Sequence, residues 1–225
     1  MVYIYYLLLI VSLGISLGAQ ALIKARYSKY QKVKNTKGIS GVEVAQEILK
    51  RHNMENVYVV ETTGYLSDHF DPTKNVVRLS KEVYHGETIS AAAIAAHEVG
   101  HAIQHKEGYS MMKFRSAIVP VVNLSSKFGY VAIIIGLSAS ITGLVYAGII
   151  MLCAMLLFQL VTLPVEFDAS RRGMKNLEEY GLVSSSEKDG VGKVLGAAAL
   201  TYVAGLITTV VEVFRVVLSA MSRRS

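Results

Sequence analysis

The segment His97-Glu98-Val99-Gly100-His101 carries two imidazoles four residues apart. On a helix, side chains at that spacing share one face, so both rings can reach a single metal ion. Glu98 follows the first histidine, where its carboxylate can accept a proton from a water held by that ion. The preceding residues, Ala91 to Ala96, are small and apolar, which is the texture of a buried helix. A buried helix that carries two histidines and a glutamate without partners is costly, so a metal-binding role outweighs a surface helix with incidental histidines.

A catalytic zinc (Zn2+) needs a third protein ligand and an open position. His105 lies four residues past His101, but the rise from His97 to His105 is about 12 Å, too far for both to share one ion. In the extended metzincin pattern a glycine stands three residues after the second histidine and a ligand six after it; here those positions hold Gln104 and Glu107. Glu107 is therefore a second candidate behind Glu166. Glu166 lies in Leu163-Pro164-Val165-Glu166-Phe167-Asp168-Ala169-Ser170-Arg171-Arg172 and opens a predicted helix with proline near its start. An acidic residue favoured at a helix N-terminus is the competing reading of Glu166.

These residues sit in a greasy chain. Of its 225 residues, 52% are apolar and only 18% charged, against about 25% charged in an ordinary soluble domain. Mean hydropathy is +0.40. Disorder is excluded by the apolar content, and a disulfide scaffold by the single cysteine, Cys153. Residues 1–23 form a predicted transmembrane anchor, with Val2 to Ile23 free of charge. Ala19-Gln20-Ala21 resembles a signal-peptidase site. No positive charge precedes it, however, while Lys24, Arg26, Lys29, Lys32, Lys34 and Lys37 follow it, so the anchor reads as uncleaved with its basic flank in the cytoplasm. That position explains the net charge of +6 without a nucleic-acid partner.

Residues 118–163 are about twice too long for one crossing and break at Ser138 to Gly143, which predicts a transmembrane hairpin. Lys127 in the first arm marks an entry into lipid near Phe128, the preferred reading, or else faces a protein cavity. Two crossings between His101 and Glu166 return both to the same face of the membrane. The apolar run Val194 to Val211, followed by Glu212, Arg215, Arg223 and Arg224, makes residues 194–225 a last transmembrane or membrane-associated helix, for 3–4 transmembrane helices in all. Residues 24–117 read as a small cytoplasmic α/β domain. Ser40 and Glu43 form a capping box, Asn56–Thr62 and Asn75–Ser80 are strands, and Ser90 caps the alanine-rich helix. A polar cytoplasmic segment, residues 164–193, carries Glu166.

The runs His97 to Gln104, Gly64 to Pro72, Val76 to Ser80 and Leu163 to Arg172 resemble the bacterial neutral zinc membrane metallopeptidases, the YugP-like family, over nearly the whole chain. A more distant similarity is to the heat-shock and CAAX-prenyl membrane zinc proteases, which also place a hairpin between histidine motif and glutamate ligand. In those an aspartate commonly follows the glutamate by four residues; here that position is Ser170 and the nearest acid is Asp168.

The resemblance implies an α-helical membrane protein with a small zincin-like α/β metallopeptidase domain. It implies a zinc endopeptidase in the cell membrane, multi-pass, its active site facing the cytoplasm, acting on membrane or membrane-proximal polypeptides. His97, His101 and Glu166 would hold zinc, and Glu98 would act as general base and later pass the proton to the leaving amine. His69 is the expected oxyanion donor, with Arg171 and Arg172 as rivals. Asp168 or Ser170 is expected to orient a ligand histidine, and Tyr58–Thr62 or Val76–Ser80 to offer an edge strand to an extended substrate. The competing function is a non-proteolytic membrane scaffold with a structural metal, against which Glu98 speaks, since a structural site needs no general base.

Overall fold

The computed structural model describes residues 2–222, so Arg223 and Arg224 lie outside the described residues. The chain divides into two compact units.

The apolar unit comprises the residues up to Gln20, Met111–Leu163 and those from Thr201 onward. Among the described residues it draws on four helices long and apolar enough to cross a membrane: α1 (Val2–Tyr30), α5 (Ser110–Ser138), α6 (Thr142–Glu179) and α7 (Lys188–Ser222). Between α5 and α6 the chain turns through Ser140, whose φ of 58° no right-handed helix uses, so the break falls inside the predicted one. α5 and α6 approach closely through small residues. A Cβ on Gly148 would stand 2.8 Å from the Gly129 carbonyl oxygen, the kind of contact by which helices associate in lipid. Ile133, Leu152 and Val216 form the buried cluster. Outward-facing apolar residues such as Ile134 (63% exposed) and Ile150 (70%) form a surface suited to hydrocarbon rather than water. Lys127 is exposed.

The helix–sheet unit comprises Ala21–Ser110 and Pro164–Leu200. Helix α2 (Gly41–Arg51) starts with the predicted capping box, Glu43 accepting the Ser40 N–H at 2.7 Å, and buries Val44, Ile48 and Leu49. Three strands follow: β1 (Tyr58–Thr62), β2 (His69–Asp71) and β3 (Val76–Ser80), in the order β1-β3-β2. β3 pairs parallel to β1 and antiparallel to β2, with Val77 opposite both Val59 and Phe70. Of the two strands expected to offer an edge, Val76–Ser80 is central and bonded on both sides, as its buried pattern requires; only Tyr58–Thr62 is an edge. Asp68 ties the preceding loop to β3 by accepting the Ser80 N–H at 2.7 Å.

After the one-turn helix α3 (Lys81–Tyr84), α4 (Ile89–Glu107) is capped by Thr88 rather than Ser90. Thr88 accepts the Ala91 N–H at 3.2 Å, whereas buried Ser90 donates to the Tyr27 carbonyl at 3.0 Å. Ala91, Ala92, Ala93, Ala95, Ala96, Val99 and Ala102 are all essentially inaccessible, so α4 is surrounded on every side. A second correction concerns α6. It runs straight through Pro164, and Glu166 does not open a helix but sits within one. The proline removes one backbone donor, a loss that long apolar helices tolerate. Its last turns and those of α7's start belong to this unit, fastened by Glu187, which accepts the N–H groups of Ser184 (2.6 Å) and Thr36 (2.7 Å).

Candidate metal centre

α4 presents His97 and His101 one turn apart, their rings edge to face with centroids 4.8 Å apart. Opposite them α6 presents Glu166, whose Oε2 lies 3.3 Å from Nε2 of His97 and 3.5 Å from Nε2 of His101. One donor atom from each residue falls within 4.8 Å of the others. Such an approach needs two helix backbones nearly in contact, and two glycines permit it. A Cβ on Gly100 of α4 would stand 2.5 Å from the Ala169 carbonyl oxygen of α6; one on Gly173 of α6 would stand 3.0 Å from the Ala96 carbonyl oxygen. The two helices therefore lock through reciprocal backbone contacts on either side of the cluster.

The protonation state of His101 follows from the hydrogen bonds around it. The Gln104 amide nitrogen donates to the Val165 carbonyl at 2.8 Å and to the Asp168 carboxylate at 2.9 Å. Both partners only accept, so the NH2 end must face them and the amide oxygen must face His101. That oxygen lies 3.0 Å from Nδ1 of His101. Nδ1 therefore carries a proton, which leaves Nε2, the nitrogen facing Glu166, as the one a metal could take. His97 is oriented from α6, its Nδ1 lying 3.1 Å from the Ser170 hydroxyl, which can donate or accept. Ser170 thus meets one of the two histidines directly, while Asp168 acts on the other through Gln104.

Burial pushes the Glu98 carboxyl above the ordinary carboxylate range, an effect the neighbouring imidazoles offset only in part. Burial also disfavours the His101 imidazolium, yet its hydrogen bond to Glu166 and the charge of Glu98 outweigh that and raise it. The negative potential that draws a proton to His101 is one that a divalent cation would neutralise. Two oriented imidazoles and a buried carboxylate are also a donor set that zinc accepts. The residues present fit the ion.

The remaining candidates are placed elsewhere. Glu107 is half-exposed and pairs with Arg172 at 2.6 Å. Arg171 and Arg172 are both bonded to Asp168. His105 packs against the Phe70 ring, centroids 5.7 Å apart. His69 is exposed at the start of β2, and its Nδ1 lies 2.7 Å from the Ser67 carbonyl oxygen. Gln104 was the residue missed as a functional one. Its place three residues after His101, hence on the same helical face, is the signal that points to it.

Residues 5–221 match a family described as "Putative neutral zinc metallopeptidase". A protein from Bacillus subtilis (strain 168) described as "Putative membrane protease YugP" is 42% identical over 221 residues, covering 98% of this chain and 98% of its own. No solved structure matches the chain. The chain belongs to this neutral zinc metallopeptidase family, the YugP-like family.

Proposed function

We propose that this member of the neutral zinc metallopeptidase family is a membrane-embedded zinc endopeptidase in which His97, His101 and Glu166 hold the metal and Glu98 is the general base. The observation that carries the reading is the convergence of the two Nε2 atoms and a buried carboxylate oxygen from helices 65 residues apart in sequence, Glu166 following His101 by that interval. When bound, zinc supplies Lewis acidity toward the scissile carbonyl and lowers the pKa of water. Glu98 takes the proton from the attacking water on its carboxylate and delivers it to the leaving amine nitrogen. A carboxyl raised by burial suits a group that must act first as base and then as acid. Gln104 keeps the His101 imidazole in the metal-binding tautomer, Ser170 orients the His97 ring, and the alanine-lined α4 keeps bulk water from the site's flank.

His69 is the proposed oxyanion donor. With its Nδ1–H directed to the Ser67 carbonyl, it donates from Nε2 only as imidazolium. β1 is the edge against which an extended polypeptide pairs. The basic run after residue 23 puts the segments 24–117 and 164–193 in the cytoplasm, with 118–163 as the hairpin and 194–225 as the last crossing. Substrates are accordingly membrane or membrane-proximal polypeptides. A metal-bearing scaffold without activity leaves Glu98 without a role.

Glu98→Gln, purified in detergent beside wild type, tests the reading. Zinc content is expected to stay unchanged while casein cleavage falls by about 10²-fold or more, the usual worth of a general base. Undiminished cleavage in Glu98→Gln overturns the assignment.

A further inference from the structure

Gln104 fixes the Nδ1 proton of His101, so whatever fixes Gln104 acts on the metal site at one remove. Its amide donates to Asp168 Oδ2 at 2.9 Å, and that same oxygen accepts the Nε–H of Arg172. Arg172 donates a second time, from Nη1 to Oε2 of Glu107 at 2.6 Å. Gln104 and Glu107 stand three residues apart on α4, and Asp168 and Arg172 four apart on α6. Each pair therefore shares one face of its helix. The four side chains close a ring that crosses between the helices twice, from Gln104 to Asp168 and from Arg172 to Glu107.

Asp168 meets two arginines, and they hold it unequally. Arg171 bonds Oδ1, but its side chain is 77% exposed, where an ion pair contributes little. Arg172 is 22% exposed and bonds Oδ2, the oxygen that Gln104 needs. Its guanidinium is planar, so Nε–H and Nη1–H point in fixed directions. With Nη1 committed to Glu107, Nε holds Oδ2 in one place. Loss of that contact frees the carboxylate to turn toward Arg171 and solvent, away from the Gln104 amide.

We propose that Arg172 is a positioning residue for the metal centre, acting through Asp168 and Gln104 on the His101 ring. The inference rests on the proposed function only in taking His101 as a metal ligand.

The test is the zinc affinity of the full detergent-solubilised chain by chelator competition, with Tm of the metal-free protein read on the same samples. Arg172→Gln is expected to lower affinity about tenfold, the low end for outer partners of metal ligands. Arg171→Gln is expected to lower it less than about twofold. In a Gln104→Leu background Arg172→Gln is expected to change affinity less than about twofold, because the link through which it acts is already cut. If Arg172→Gln does not fold, Arg172→Lys carries the same comparison, since it keeps the charge and loses the fork. It is expected to lose about threefold or more, and only while Gln104 is present. An equal loss in both backgrounds, a loss as large in Arg171→Gln, or a lowered Tm with unchanged affinity makes Arg172 a structural residue and overturns the proposal. Wild type that binds no zinc overturns the metal reading along with it, whereas zinc-binding wild type beside an unaffected Arg172→Gln overturns this proposal alone.

Discussion

Gln104 in the helix–sheet unit is wholly buried, and its amide is divided among His101, Val165 and Asp168. Thr162 in the apolar unit is nearly as buried, at 3% exposure, and its hydroxyl meets no partner among the described residues. The same contrast runs through the two regions. In the helix–sheet unit Asn35, Ser80, Ser90, Asn176 and Glu187 are likewise buried and hydrogen-bonded, so their positions are fixed by complementary donors and acceptors. The apolar unit relies instead on close helix contacts at Gly129, Gly136 and Gly148.

Substitutions that strike the matched region should do the most harm. Gly100→Ala drives a methyl to 2.5 Å from the Ala169 carbonyl and forces α4 and α6 apart. Overpacking of that kind costs about 1–3 kcal/mol. Separation of the ligand-bearing helices by about 1 Å should also lower kcat/KM about 10²-fold, read by denaturation and cleavage assays on one preparation. Gln104→Leu keeps the volume but strips His101 of its tautomer-fixing acceptor and leaves the Val165 carbonyl and Asp168 short of a donor. Zinc affinity, measured by chelator competition, should fall about 10- to 100-fold.

Glu187→Gln is expected to cost about 1.5 kcal/mol at neutral pH, as for hydrogen bonds to a charged group. Burial raises this carboxyl, but the Ser184 and Thr36 donors outweigh it and leave its pKa lowered. A folded pKa below the unfolded one means the stabilisation is present above the unfolded value near pH 4.3 and is lost as pH falls through the folded value. Wild type should therefore approach the variant's stability on acidification below about pH 4, as seen in Tm against pH. Thr162→Val should change stability by less than about 0.5 kcal/mol, because an unmatched hydroxyl gives up nothing when replaced by a methyl of the same shape.

The helical spacing of His97 and His101 made α4's chemistry legible, because it is a local periodicity. Glu166 was reached by counting membrane crossings, which depends on long apolar runs rather than on packing. Gln104 escaped because it was weighed as a missing glycine of another motif, when its partners, Val165 and Asp168, lie more than sixty residues away. β2 is three residues long, too short to display alternation, and its absence from the expected strands left β3 looking like an edge. Thr88 and Ser90 are equally good caps by type; tertiary contact with Tyr27 decided between them. Pro164 looked like a helix start because a proline's tolerance inside a long helix depends on surroundings that sequence does not display.

The most direct test of the central claim is zinc content of the detergent-solubilised protein, wild type beside Glu166→Gln, with casein cleavage read on the same samples. About one zinc ion per chain with activity in wild type, and loss of both in Glu166→Gln, is the predicted result. Full zinc retention in Glu166→Gln would contradict it and move the third ligand to another acid, Asp168 or Glu107.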